Sequence, residues 1–412
     1  MENSPKKGTA PNVLTAPALA FGDFIARQGY SAEIVRKYGE SAHAFCKHLA
    51  RKRIGLCNLD DRRAMQIIAQ CIKIASPKDR KHAQYRLERF RDYLIENMGA
   101  PPRTPVALDP SPRACLRREY EAYLREQRGL ADSTIYHCMR YYDLFLTAIF
   151  GSDLGDLEKI SPDDVVSFIL ARRMPDVAPR EKTIPAHLRN LFVFLFSSGR
   201  TKRNLGRSIP ASRQPKPTGV PRYLPPEDIQ RLVEAARISP KNGRRNYAML
   251  LLLSRLGLRA PEVVAIQLDD IDWRRGEILI RGKRQLHDRM PLPDDVGKAI
   301  VDYIQNDRRG TSRTLFVASR APYSRFKDGQ IVRWILQDAY DATGINPPQS
   351  YIGSHILRHS LATDLLRKGA SLEEIGDVLR HRSPMTTTIY AQHDTEALRG
   401  LAQPWPVEGD VR

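Results

Sequence analysis

The sequence predicts an α+β multidomain protein: two all-α helical bundles, then a mostly helical third part carrying a small antiparallel sheet. Three observations carry this expectation. Two proline-rich stretches, 100–113 and 206–226, cut the 412-residue chain into three parts, because proline removes a backbone donor and fixes φ, which suits linkers rather than helices. The first two parts repeat one pattern at an interval of 100 residues. Only the third contains β-rich runs around a polar loop. The expected boundaries are 1–103, 113–205 and 222–412.

In the first part, Ile34, Tyr38, Ala42 and Phe45 recur at helical spacing, as do Ile135, Met139, Tyr142 and Phe145 in the second. Gly29, Phe45, Tyr93, Leu94 and Gly99 fall opposite Gly129, Phe145, Val193, Phe194 and Gly199. Asp60-Asp61 and Ser161-Pro162-Asp163-Asp164 sit where a helix should begin. Each part therefore reads as a bundle of about four helices, a tandem duplication. In the third part, Tyr247–Leu256 is an apolar helix stopped by Gly257, and Pro261-Glu262 opens the next. Glu277–Arg281 and Arg289–Leu292 read as a β-hairpin, and Thr314–Val317 as a third short strand. After Ile331 the pattern is helical, with turns at 344–348, Gly369 and Ser383-Pro384.

The composition is globular: 42% hydrophobic and 27% charged residues exclude wholesale disorder. The apolar run Ala248–Leu253 is far below the roughly 20 residues of a membrane span, and the N-terminus lacks a signal-peptide apolar region. Five cysteines, all before residue 139, form no C-x-x-C pair, so reduced structural thiols and a cytoplasmic setting are expected. The net charge is +19, divided as +8 over 1–100, +3 over 101–205 and +8 over 206–412. A positive excess at both ends suits an extended polyanion surface. The segment 200–222 holds Arg200, Lys202, Arg203, Arg207, Arg213, Lys216 and Arg222 with no acidic residue. It reads as a basic strap across a phosphate backbone or, more blandly, as a solvated linker.

No Walker loop, G-x-G-x-x-G, H-E-x-x-H or G-x-S-x-G occurs, so those chemistries lack their motifs. The third part contains Gly257-Leu258-Arg259-x-x-Glu262, Gly282-Lys283 in the hairpin, His355-x-x-Arg358-His359, and Leu379-Arg380-His381 through Tyr390. Singly these are weak: Arg259 could be a surface ion pair, Tyr390 an ordinary aromatic, and His355 with His359 a zinc pair lacking further ligands. In this order and spacing they carry more.

The chain here resembles the tyrosine site-specific recombinase (phage integrase) family over residues 222–395, and its second part is similar to that family's helical core-binding domain. The resemblance implies the DNA breaking-rejoining fold. It also implies that Arg259, Lys283, His355, Arg358 and His381 activate a phosphate attacked by Tyr390. Two departures are Arg380, where a glycine is usual, and Pro261 beside Glu262.

The residue types suit that chemistry. A phenol attacking a phosphodiester builds charge on two non-bridging oxygens, which arginine forks such as those of Arg259 and Arg358 meet bidentately. The Tyr390 phenol, with a pKa near 10, needs a proton acceptor, and His355 is the expected one. Lys283 can protonate the leaving 5′ oxygen, and His381 can donate to the phosphate. No carboxylate cluster is present for Mg²⁺, which favours a covalent, metal- and ATP-independent route with no cofactor.

The resemblance thus implies a recombinase that clamps double-stranded DNA and works as a tetramer on two sites, alone or with related recombinases. The tail carrying Leu398, Leu401 and Trp405 is expected to dock on a neighbouring subunit. The helical first part, in place of a β-rich arm-binding domain, points toward a transposase-like enzyme of a mobile element in the cytoplasm, at the nucleoid. The alternatives are a type IB topoisomerase-like relaxing enzyme and a non-catalytic DNA-binding regulator.

Overall fold

The computed structural model describes residues 16–104, 108–172, 183–209, 223–282, 287–348, 352–381, 386–387 and 390. By backbone proximity the chain forms two units, residues 1–104 with 218–412, and residues 105–217.

The N-terminal bundle holds α1 (Ala16–Arg27), α2 (Ala32–Lys52), α3 (Asp61–Ile74) and α4 (Arg80–Met98). Side-chain caps begin two of them: Ser31 accepts from the Ile34 N–H, and Asp60 from the Arg63 N–H at 2.8 Å. Phe21, Phe45 and Phe90 meet in its core with ring centroids 4.9 and 5.6 Å apart. Tyr38, Ala42 and Phe45 are buried as their spacing requires, whereas Ile34, one turn from the start of α2, is exposed.

The second unit repeats this order. It has α5 (Pro112–Ala122, prolonged by a π-helical turn over Tyr123–Gln127), α6 (Asp132–Phe150), α7 (Pro162–Ala171) and α8 (Ile184–Ser197). Ile135, Met139, Tyr142 and Phe145 are all buried. Ser161 and Asp164 form a capping box where Asp60 caps the first bundle. Gly99 and Gly199 both end a helix with positive φ, +68° and +71°. Gly99 and Gly199, 100 residues apart, thus hold comparable places at the ends of α4 and α8.

The basic segment after α8 is not an extended linker at its start. Leu205–Ser208 forms a 3₁₀ turn, and Leu205 and Ile209 are buried in the core of the second unit. Burying those two apolar side chains outweighs the preference of the neighbouring prolines for extended chain.

The third part builds α9 (Pro226–Ile238), α10 (Gly243–Arg255), α11 (Ala260–Ala265), α12 (Asp294–Asn306), α13 (Gln330–Thr343), α14 (His355–Arg367) and α15 (Leu372–Leu379). Residues Ala248–Leu253 of α10 are buried on every side, so this helix is the spine against which α9, α12 and α14 pack. A three-stranded antiparallel sheet, β1 (Ile271–Asp272), β2 (Glu277–Arg281) and β3 (His287–Pro291), pairs Ile271 with Ile278 and Ile278 with Met290. The expected strand Thr314–Val317 does not join it. Its residues make isolated bridges, Gln267 with Thr314 and Val317 with Arg325, while Leu315 and Phe316 are buried in the core. Burial rather than a sheet ladder accounts for that apolar run. Among the described residues no helix is long and apolar enough to cross a membrane.

Candidate active site

The turn between α10 and α11 sets the first functional side chain. Gly257 adopts φ +60°, and a Cβ there would lie 2.6 Å from Leu379 Cδ2 and 3.1 Å from Leu361 Cδ2, so any side chain would strain the backbone and displace those leucine ends. Two residues on, Arg259 is the N-cap of α11. Glu262 accepts from the Arg259 N–H at 2.9 Å and from Arg259 Nη1 at 2.8 Å. The carboxylate is buried, and burial opposes its ionisation. The Arg259 N–H and the guanidiniums of Arg380 and Arg259 nonetheless hold its pKa below the usual carboxylate range.

Arg358, on the first turn of α14, is 4% exposed. Its two terminal nitrogens donate to the carbonyls of Gly257 and Leu379. One guanidinium thus staples the Arg259 turn to the end of α15. Burial and the neighbouring Arg259 cation push its pKa down to about 10. It remains charged at neutral pH, and a buried cation beside the half-exposed Arg259 makes the site suited to an anion.

His355 opens α14, with its pKa lowered by burial, Arg358 and Arg259. His381 follows the C-cap of α15; its N–H donates to the Gly376 carbonyl at 2.8 Å, and its Nδ1 lies 2.8 Å from Thr387 Oγ1. Burial, Arg358 and Arg259 push the His381 pKa down to about 4, so this ring is neutral at pH 7. Tyr390 is 1% exposed and packs with Ala362, Ile375 and Leu379. Burial raises its pKa and the Arg358 cation opposes that rise.

The ring that meets the Tyr390 hydroxyl is that of His359, with Nδ1 2.9 Å from Oη. The sequence pattern alone presents His359 only as half of a zinc pair and points to His355 as the acceptor of the Tyr390 proton. His355 and His359 lie one turn apart on α14, with ring centroids 6.4 Å apart, and His359 is the member 5.7 Å from the Tyr390 ring. The His381 ring is nearly parallel to that of Tyr390, centroids 6.3 Å apart. Among the described residues no group of three or more His, Cys, Asp or Glu side chains could hold a metal ion.

The structure therefore brings Arg259, His355, Arg358, His381 and Tyr390 into one neighbourhood. Lys283 lies outside the described residues. In the hairpin that bears it, the last residue of β2 before the loop is anchored: Arg281 donates to the buried Asp270 carboxylate at 2.6 and 3.1 Å.

The basic set of the second unit is divided. Arg200 pairs with Glu119 at 2.5 Å, and Lys202 with Glu158 at 2.9 Å, so acidic partners come from other helices of the unit. Arg203 and Arg207 are exposed. Arg213 and Lys216 lie outside the described residues, as does the tail beyond Tyr390.

Residues 222–397 match the Phage integrase family. Over 395 residues the chain is 34% identical to the integrase/recombinase y4rA of Sinorhizobium fredii, spanning 95% of this chain and 94% of that one. It is 30% identical over 300 residues to the tyrosine recombinase XerD of Mycobacterium tuberculosis, spanning 68% and 93%. Among solved structures, the XerH recombinase in a post-cleavage complex with its difH substrate is similar over 71% of this chain and 97% of that one. That pair has a TM-score of 0.55 at 17% identity. A lambda integrase dimer bound to a core site gives 0.52 at 18% identity, over 67% and 94%. At such identities these structures speak for the fold alone. The site geometry and the near full-length relative lead to one assignment: this chain belongs to the tyrosine site-specific recombinase, or phage integrase, family of DNA recombination enzymes.

Proposed function

We propose that this chain cleaves and rejoins duplex DNA through a 3′-phosphotyrosyl intermediate on Tyr390, without metal or ATP, in the integration, excision or transposition of a mobile element. The observation that carries the proposal is the buried Tyr390 hydroxyl, hydrogen-bonded to His359 in the same neighbourhood as the paired cations Arg259 and Arg358. In the reaction the phenol loses its proton to His359 and attacks the phosphorus, and the 5′ oxygen leaves with a proton from Lys283. Arg259 and Arg358 stabilise the charge that develops on the non-bridging oxygens, a contribution typically worth about 10²–10³ in rate per contact. A neutral His381 whose Nδ1 accepts from Thr387 carries its remaining proton on Nε2, as a donor to the phosphate. The phosphotyrosyl bond retains the energy of the broken phosphodiester, so rejoining to a new partner needs no nucleotide.

The second unit would close on the duplex as a core-binding module, with Arg203 and Arg207 already exposed. Arg200 and Lys202 can exchange their surface pairs for phosphate at little cost, since such pairs contribute only about 0–1 kcal/mol. Exchange between two sites calls for four subunits, one tyrosine for each strand cut. Trapping on a nicked suicide substrate tests the proposal. Wild-type protein should become covalently attached, and Tyr390→Phe should not, while DNA affinity stays within a few-fold. An adduct persisting in Tyr390→Phe overturns it. Relaxation of plasmids lacking paired sites would instead indicate a topoisomerase-like activity.

A further inference from the structure

The C-cap of α15 is an arginine in a conformation that favours glycine. Arg380 has φ +55°. Its N–H closes onto the Asp377 carbonyl at 2.9 Å, and the next N–H, that of His381, closes onto Gly376 at 2.8 Å. Glycine would complete this turn without the steric cost of a Cβ. Arg380 completes it with a long, charged side chain, which turns inward. That side chain is 10% exposed and donates from Nη2 to Glu262 Oε2 at 2.6 Å. Its Nε finds no hydrogen-bond partner among the described residues. A buried guanidinium with an unpaired donor on a strained backbone is a poor device for stability, so its effect must be sought in the neighbour it touches.

That neighbour is Glu262, which also accepts from the Arg259 side chain through Oε1. An Arg259–Glu262 pair alone is neutral toward an incoming phosphate, and Glu262 Oε2, which without Arg380 accepts only the Arg259 N–H, keeps a lone pair that the second end of the Arg259 fork can take. With the Arg259 N–H and Arg380 both donating to Oε2, Glu262 offers the Arg259 side chain only Oε1, and the group of three carries a net positive charge.

We propose that Arg380 is a positioning residue for Arg259: it fills the acceptor position that the Arg259 N–H leaves open on Glu262 Oε2, so that Arg259 keeps both its charge and part of its fork for the scissile phosphate. This rests on the recombinase reading of the site and names a feature of its anion recognition specific to this chain. Arg380 touches neither DNA nor Tyr390 in this scheme, and acts wholly through Glu262.

The test compares single-turnover cleavage of a phosphodiester suicide substrate with that of the same substrate bearing a neutral methylphosphonate at the scissile position. The full-length wild type, Arg380→Gly and Arg380→Met are used. Arg380→Gly relieves the backbone and removes the charge, whereas Arg380→Met keeps the length and the strained backbone. Both should cleave the phosphodiester about tenfold more slowly, less than the 10²–10³ for removing a direct phosphate donor. The deficit should shrink to within twofold on the methylphosphonate, where no charge awaits Arg259. Equal losses on both substrates would mean that Arg380 only supports the local fold, and no loss on either would mean that it does not act on Arg259. Each result overturns the proposal. Should wild type itself form no adduct through Tyr390 on the phosphodiester, the recombinase reading fails rather than this one.

Discussion

His359 Nδ1 lies 2.9 Å from Tyr390 Oη, linking the middle of α14 to a residue 31 positions further along the chain. In the proposed reaction this hydrogen bond would both aim the phenol and give its proton a destination. Replacing His359 by Ala should slow adduct formation by about 10²-fold, the lower end of what a positioned acid or base contributes, with DNA affinity unchanged. His355→Ala should retain the pH dependence set by the phenol's proton and lose rate through weaker phosphate contact. Adduct rates between about pH 6 and 9 distinguish the two. A His359 variant with wild-type rate and profile would return the proton to His355.

Acid should loosen the site. The pKa of His381 is near 4 in the folded protein and about 6.5 in an unfolded chain, so between those values the unfolded state binds more protons. Its contribution to stability is fully present above about pH 6.5 and is lost as pH falls toward 4. His355, also lowered, acts in the same direction. Thermal melts from pH 7 to 5 should show a falling midpoint, and His381→Gln should flatten that fall. An unchanged slope in the variant would contradict the assignment.

Gly257→Ala should cost about 2–3 kcal/mol, from a side chain at φ +60° and from overpacking against Leu379 and Leu361. Cleavage should suffer beyond that loss, because the shifted carbonyl is one of the two that hold Arg358. Urea melts and single-turnover rates at a temperature where the variant is folded separate the effects.

The N-terminal bundle exposes Arg51, Lys52, Arg53, Arg62 and Arg63. If these meet phosphates, changing all five to Gln should weaken DNA binding. The log–log salt slope should then fall by about 0.9 for each phosphate no longer neutralised. An unchanged slope and footprint would assign the bundle to packing between subunits instead.

The fold was legible where local rules act alone. Helix spacing around Phe45 and Phe145, the capping residues Asp60 and Ser161, and the stop at Gly257 all mark real elements. At Thr314–Val317 the same apolar pattern reports burial and not a sheet, because period and composition do not distinguish a core-lining loop from a strand. In the site, residue types and order brought Arg259, Arg358, His381 and Tyr390 together. What spacing could not supply was which of two histidines, one helical turn apart, faces Tyr390. That depends on the path of the chain between Leu379 and Tyr390. Nor does a sequence reveal that Arg380 and Glu262, 118 positions apart, share a hydrogen bond.

Arg358 commits its terminal nitrogens to two main-chain carbonyls, at Gly257 and Leu379, that meet only in the finished fold. For the reaction proposed above, the consequence is a safeguard on the group that would cut DNA. A nascent or partly opened chain has Tyr390 but not this arrangement, since the guanidinium proposed to meet the phosphate is anchored by segments 101 and 21 positions away. In the proposed reaction, competence to break a strand would thereby arrive only with the completed fold of the site.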